Sequence, residues 1–347
     1  MKYQDPKLCS KPKPNSKSLA SGRLKVAFIY YSSLSSFIKN DYNILSRHFN
    51  VREVNIKGIR DMPKLARSIV WCDLSFVWFA GEHAFPAVVL SKVLGKKCLV
   101  VAGGYDVAYM PELNNYGQFA KGWNKKFYTR FALNNADKIL AVSHYIKGEV
   151  LKRSKPKDIS VIYNGIDTAK FRPKGKKENL IITVASKSEI VVKLKGLDTF
   201  IGAASYVPEA RFEVLGLGKE DLPLDLMIPS NVYLLGRMDQ KNLIDHYQRA
   251  KVCCQLSYVE SFGVALAEAM ACECLPVVTD RGALPEVVGD IGYYVPYGDA
   301  KRAAEGISMA LKSDQSYKAR DRIKANFSQE KREEELISVA RELCGSR

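Results

Sequence analysis

Short runs of apolar and β-branched residues, each followed by a turn and a helical pattern, recur along most of the chain and fall into two series. The first series places strands over 24–31, 51–56, 74–79, 97–102 and 138–142, with helical patterns such as 86–94 and 119–134 between them. The second places strands over 180–185, 211–215, 232–235, 252–256 and 275–278. Strands that alternate with helices build parallel sheets covered on both faces. With 347 residues, the chain is long enough for two such units, each with its own core. The stretch 163–177, rich in turn formers and lysine, separates the two series and marks the boundary. Open sheets of this kind bind ligands beyond the carboxyl ends of their strands, so function is expected between the two units.

Composition removes several classes. Hydrophobic residues make up 47% and charged residues 26%, values of a folded chain and not a disordered one. The most apolar region, 69–90, is interrupted by Asp73, Glu82 and His83, so no membrane span is expected. Eight cysteines occur without a Cys-x-x-Cys pair, and Cys253, Cys254, Cys272 and Cys274 fall in apolar stretches. They read as buried free thiols in a reducing compartment, not as metal ligands or disulfides. Residues 1–22 hold Lys, Pro and Ser without the apolar core of a secretory signal, and read as a flexible basic tail. The net charge of +16 resides entirely in residues 1–170, with 28 Lys and Arg against 12 Asp and Glu; the remainder carries 25 of each. That field favours an anionic partner such as a phosphorylated substrate, an acidic membrane surface or nucleic acid, although a solvated basic surface explains it equally well.

The most informative segment is Glu260-Ser261-Phe262-Gly263-Val264, running on to Glu268-Ala269-Met270-Ala271, after a strand and into a helix. If Glu260 lies in the preceding loop, it and Glu268, about two helical turns on, can face one cleft. Two carboxylates so placed suit two hydroxyl-bearing parts of one ligand. Gly263 lets a phosphate approach the free N–H groups at the helix start, where the helix dipole favours an anion. Taken alone, the glutamate pair reads equally as a helix cap or surface acidity.

Other segments occur in order around it. Ala136 to Ser143, Val161 to Asp167 with Phe171 and Pro173, Lys195-Gly196-Leu197-Asp198, Leu275 to Val278, and Gly282-Ala283-Leu284-Pro285-Glu286 complete a series. Together with the glutamate segment they resemble the large retaining glycosyltransferase family known as group one or family four. The likeness covers residues 24 to 340 and is strongest from Ala136 onward. It implies an α/β chain with the GT-B fold, two Rossmann-like doubly wound domains facing across a cleft. The domains expected are the tail (1–22), an acceptor-side domain (23–170), a nucleotide-sugar domain (171–330) and a C-terminal helix (331–347) that crosses back to the first domain.

The resemblance also implies roles. Lys195 would contact the donor diphosphate and Glu268 the ribose hydroxyls. Glu260 would face the sugar, with Ser261 beside it and the backbone N–H groups of Phe262, Gly263 and Val264 holding sugar hydroxyls or phosphate. Gly236 joins the donor side. Lys195, Glu260 and Asp106 form the catalytic set. Members of this family retain anomeric configuration and use no metal ion or other cofactor, because cationic side chains and helix dipoles stabilise the departing diphosphate.

Several positions depart from the family pattern. Where an arginine commonly precedes the lysine motif, this chain has Val184-Ala185-Ser186-Lys187; Lys187 or Lys193 reads as a replacement for that charge, without an arginine's bidentate fork, or equally as a solvent-facing lysine. A histidine that commonly borders the reacting sugar is replaced by Gly103, in Gly103-Gly104-Tyr105-Asp106. Asp106 reads as a binder of acceptor or sugar hydroxyls, or as a structural turn residue. His83 reads as a substitute for the missing histidine, or as a core residue. Ser32 and Ser33, which replace a glycine pair in the first strand-to-helix loop, cap the helix or bind acceptor.

The sequence thus points to a retaining, metal-independent transferase moving a hexose-type sugar from a UDP- or GDP-linked donor to an acceptor hydroxyl on a glycan or lipid-linked precursor. The expected setting is cytoplasmic, docked peripherally on the inner membrane face. The alternative is a GT-B protein that binds sugar nucleotides without turnover. A nicotinamide enzyme is disfavoured because Leu215-Gly216-Leu217-Gly218 lacks the third glycine at the required spacing. Nucleic acid is disfavoured as a partner because the paired carboxylates would oppose its phosphates.

Overall fold

The structure is a computed structural model that describes residues 23–31, 34–188 and 190–345. The basic tail expected over 1–22 lies outside the described residues.

In the first domain the elements run β1 (Lys25–Tyr30), α1 (Ser36–His48), β2 (Asn50–Asn55), α2 (Met62–Trp71), β3 (Leu74–Trp78), α3 (Ala84–Val93), β4 (Lys97–Ala102), α4 (Trp123–Asn135), β5 (Lys138–Ala141), α5 (His144–Arg153) and β6 (Ile159–Val161). The second contains β7 (Glu178–Val184), α6 (Val191–Lys195), α7 (Leu197–Ala204), β8 (Arg211–Leu215), β9 (Val232–Leu234), α8 (Gln240–Arg249), β10 (Ala250–Gln255), α9 (Val264–Ala271), β11 (Leu275–Val278), α10 (Leu284–Val288), β12 (Tyr293–Tyr294), α11 (Ala300–Lys312) and α12 (Ser316–Asn326). A last helix, α13 (Gln329–Leu343), follows.

Each domain is one six-stranded parallel sheet, ordered β2-β1-β3-β4-β5-β6 in the first and β12-β11-β10-β7-β8-β9 in the second. The inner strands are buried over most of their length, and Leu74–Trp78 throughout, because helices cover both faces and leave no polar side. The chain order reverses between β1 and β3 in one sheet and between β7 and β10 in the other. Loops leaving the strands diverge at these reversal points and open crevices there.

Helix α13 returns to the first domain, where Leu336, Ile337 and Ala340 join the core that includes Ile44 and Trp78. Its anchor is Arg332, which donates to both oxygens of the fully buried Asp41 (2.6 and 2.7 Å) and to the carbonyls of Ile162 and Tyr163. The Trp78 indole N–H donates to the same carboxylate at 3.0 Å. The two chain crossings between domains are paired, Ile166 N–H to Phe327 O and Gln329 N–H to Ile166 O. All cysteines among the described residues are free, and six of the seven are buried.

Candidate active site

Both reversal points carry a cavity, and the two differ in character. The second domain's loops after β7 and β10 meet the first domain's loop after β4 around a cavity of about 280 Å³, lined among others by Gly104, Tyr116, Ser188, Lys195, Glu260 and Ser261. Glu260 lies in the loop, ahead of the helix start at Val264. Its Oε1 accepts from Lys195 Nζ (2.6 Å), Ser257 Oγ (2.9 Å) and Gln255 Nε2 (2.9 Å). Gln255 and Ser257 are buried, so the carboxylate is held from beneath while its partner lysine closes it from α6. Neither supporting residue stood out in the sequence, since a lone Gln ending an apolar strand carries no pattern.

Gly263 has φ +86° and ψ 55°, the left-handed conformation that turns the loop into α9. Phe262 is buried against Tyr163 and Phe327, which fixes this turn to the interdomain crossings. Gly104 has φ +133°, and a Cβ there would lie 1.8 Å from Ser261 Oγ, so the domains touch at a point only glycine allows.

Glu268 does not line this cavity. It is buried on α9, its Oε2 accepting from Tyr247 of α8 at 3.3 Å. Burial pushes its carboxyl up to about 7, against the smaller opposing pull of the Tyr247 hydrogen bond and the Lys170 charge. Of the three side chains expected to converge, the structure therefore brings Lys195 and Glu260 into contact and sets Glu268 apart. Lys187 is exposed and paired with Asp221 at 2.8 Å, and Lys193 is exposed on α6, so neither shares the Lys195 cavity. Gly236 also stands off: its N–H and C=O pair with Leu217 O and Gly216 N–H, joining the loops after β8 and β9. A cation absent from the sequence reading sits close by. Arg281 stacks on Tyr258 and Tyr297 (4.6 and 4.9 Å), next to Gly282, whose α-carbon abuts the Glu260 backbone.

The first domain's reversal point holds a larger cavity of about 920 Å³, walled by Phe37, Ile38, Ile56, Met62, Phe79 and Tyr128, with Asp106, His83 and Gln118 on its polar edge. Ser35 Oγ and Gln118 Oε1 are buried there without a partner among the described residues. Such atoms cost free energy unless a ligand or water satisfies them. His83 Nε2 lies 2.7 Å from the Trp78 carbonyl, which can only accept, so that nitrogen carries the proton. Burial lowers this imidazole to about 4 and keeps it neutral. Asp106 accepts from the N–H groups of Ala80 (2.8 Å), Gly103 (3.2 Å) and Gly104 (2.8 Å), so it braces the loops after β3 and β4. At Gly103, a Cβ would meet the Phe79 ring at 2.2 Å, because Phe79, at φ +67°, occupies the space a side chain would need. Ser32 and Ser33 lie outside the described residues.

A carboxylate spans the cleft. Glu286, on α10, accepts from the N–H groups of His144 (2.8 Å) and Tyr145 (2.7 Å) at the start of α5, and from the Tyr163 hydroxyl (3.0 Å). It places negative charge at a helix N-terminus, where the dipole favours it.

Two parallel sheets facing across a cleft, with a lysine–glutamate pair at the reversal point of the second, make the architecture of a GT-B glycosyltransferase. The family model described as Glycosyl transferases group 1 matches residues 167–330, and that of Glycosyltransferase Family 4 matches residues 27–170. The chain belongs to this family of glycosyltransferases. N-acetyl-alpha-D-glucosaminyl L-malate synthase of Bacillus anthracis is 30% identical over 75% of this chain and 72% of its own length. The gpi3 subunit of the phosphatidylinositol N-acetylglucosaminyltransferase of Schizosaccharomyces pombe is 28% identical over 46% of this chain, and the match spans only 37% of that subunit. Among solved structures, sucrose-phosphate synthase from Thermosynechococcus elongatus has the same fold, with a TM-score of 0.75 at 17% identity over 92% of this chain and 99% of that one. Anabaena Alr3699/HepE, in complex with UDP and glucose, gives 0.74 at 15% identity over 92% and 100%.

Proposed function

We propose that this glycosyltransferase moves a hexose or N-acetylhexosamine from a UDP-linked donor to an acceptor hydroxyl presented by the first domain, with retention of anomeric configuration and without a metal ion. The observation that carries this reading is the Lys195–Glu260 contact in the interdomain cavity, beside the glycine turn that opens α9. The two relatives are N-acetylglucosaminyl enzymes by name, and these names together with the UDP in the Anabaena complex support the choice of donor.

In this reading the donor diphosphate draws Lys195 toward it, and the α9 N–H groups around Phe262, Gly263 and Val264 hold its oxygens or the sugar. Glu260 receives sugar hydroxyls, and Glu268, placed on the next turns of α9, receives the ribose. The acceptor oxygen bonds to the anomeric carbon on the face from which the diphosphate departs, and its proton passes to a phosphate oxygen of that leaving group. Lysine and the helix dipole stabilise the charge that develops, which is the task a metal ion performs elsewhere. The setting is the cytoplasmic face of a membrane, with a glycan or lipid-linked acceptor.

Thermal shift against UDP-, GDP- and ADP-sugars tests the reading, since a ligand bound only by the folded chain raises its melting temperature. A UDP-sugar is expected to stabilise the wild type and to lose that effect in Lys195→Ala. No stabilisation by any sugar nucleotide would overturn the proposal; stabilisation without hydrolysis or transfer would make the protein a binder instead.

A further inference from the structure

Helix α4 is the least explained surface of the first domain. Residues 117–135 carry Lys121, Lys125, Lys126 and Arg130 and no acidic residue. On the same helix Trp123 is 81% exposed and Phe127 50%. Phe127 packs with Phe85, Tyr128 and Phe131, and Arg130 is fixed over the Phe119 ring while donating to the Arg153 carbonyl. Trp123, Lys126, Phe127 and Arg130 line one shallow groove of about 410 Å³. The opposite flank of the helix contributes Lys125 and Tyr128 to the large apolar cavity.

We infer that the outer face of α4 is a docking surface for an anionic lipid bilayer. Its partner is the phosphate-bearing headgroup layer: cationic side chains pair with lipid phosphates while Trp123 and Phe127 enter the interface, where amphipathic rings are favoured. The charge of the surface carries the choice of partner: Lys125 pairs with Glu82 at 3.8 Å on the cavity flank, but Lys121, Lys126 and Arg130 have no acidic partner among the described residues, and three such bases match an acidic membrane and not a neutral one. Among the described residues no helix is long and apolar enough to cross a membrane, so the contact is one of lying on the surface. Docked this way, α4 sets the apolar cavity at the lipid boundary, where an acceptor with an apolar tail and a hydroxyl-bearing head enters from the side. That last step rests on the acceptor reading above; the docking itself does not.

Flotation of the full chain with vesicles tests it, using phosphatidylcholine alone and phosphatidylcholine mixed with phosphatidylglycerol. Binding is expected with the mixed vesicles only, with loss at high salt. Each of Lys121→Gln, Lys126→Gln and Arg130→Gln should weaken it roughly fivefold. Trp123→Ser combined with Phe127→Ser should abolish it, while the thermal shift given by a sugar nucleotide stays as in wild type. Retained flotation in that double variant, binding to neutral vesicles as strong as to anionic ones, or no flotation at all would overturn the proposal. So would self-association of the wild type that is lost in the double variant, which would assign the face to a protein contact. A missing thermal shift in the wild type would instead count against sugar-nucleotide binding and leave the docking result to be read by itself.

Discussion

The two domains share a topology and differ in what their reversal-point loops carry. In the second, a narrow polar cavity is built on one ion pair, Lys195 with Glu260, supported by two buried polar side chains. In the first, a wide apolar cavity is edged by a neutral histidine and a braced aspartate. The same parallel sheet therefore supports a cavity built on an ion pair in one half and an apolar-walled cavity in the other. Sheet topology fixes where ligands bind, and the loops decide which.

The comparison can be broken most severely at the joint that lets the first domain depend on the end of the chain. Arg332→Ala leaves Asp41 buried with the Trp78 N–H as its remaining side-chain partner, and should cost about 3–5 kcal/mol in urea unfolding. A cost near zero would show that α13 is not needed to complete that domain.

The next effect sharpens the contrast in electrostatics. The Glu268 carboxyl is raised to about 7 in the fold against an ordinary value of 4.5. Its contribution to stability is thus fully present below about pH 4.5 and is lost as pH rises through 7. Glu268→Gln should therefore stabilise the unliganded protein at pH 8, by up to about 3 kcal/mol, with the advantage fading toward pH 4. A pH series of thermal unfolding checks this. The same substitution should weaken sugar-nucleotide binding, and in the wild type binding near pH 7 should release a proton, measurable by calorimetry in buffers of different ionisation enthalpy.

Lys195→Ala should weaken donor binding about 10- to 100-fold, the value of one charge-assisted hydrogen bond, while vesicle binding through α4 stays unchanged. The smallest effect concerns the clasp between the halves: Glu286→Gln should cost about 0.5–1.5 kcal/mol and widen the cleft, seen by thermal unfolding and small-angle scattering.

Much of the fold was legible because parallel strands buried on both faces need continuous apolar runs. Segments such as 97–102 and 211–215 coincide with β4 and β8. The edge strands β6 and β12 escaped notice, being three and two residues long and only partly buried. At the site, the glutamate segment and the lysine motif were readable, whereas the contact between Lys195 and Glu260 crosses 65 positions of sequence. Spacing alone cannot show that Lys187 pairs with Asp221, or that Lys193 is exposed on α6 and is not among the residues that line the Lys195 cavity. Arg281 was passed over, since nothing local marks a side chain that two distant tyrosines will clamp.

The sequence by itself determined the two-sheet plan, the excess of positive charge in the first half and the family to which the chain belongs. These follow from periodicity, composition and short motifs, all of which are local. Only the tertiary structure decided that Phe79 fills the space beside Gly103, that Asp106 is bound up in backbone N–H groups, that Glu268 is buried with a raised carboxyl, and that α13 locks onto Asp41. Each of these depends on which distant atoms share a volume and on how much water reaches them, and no local pattern encodes either.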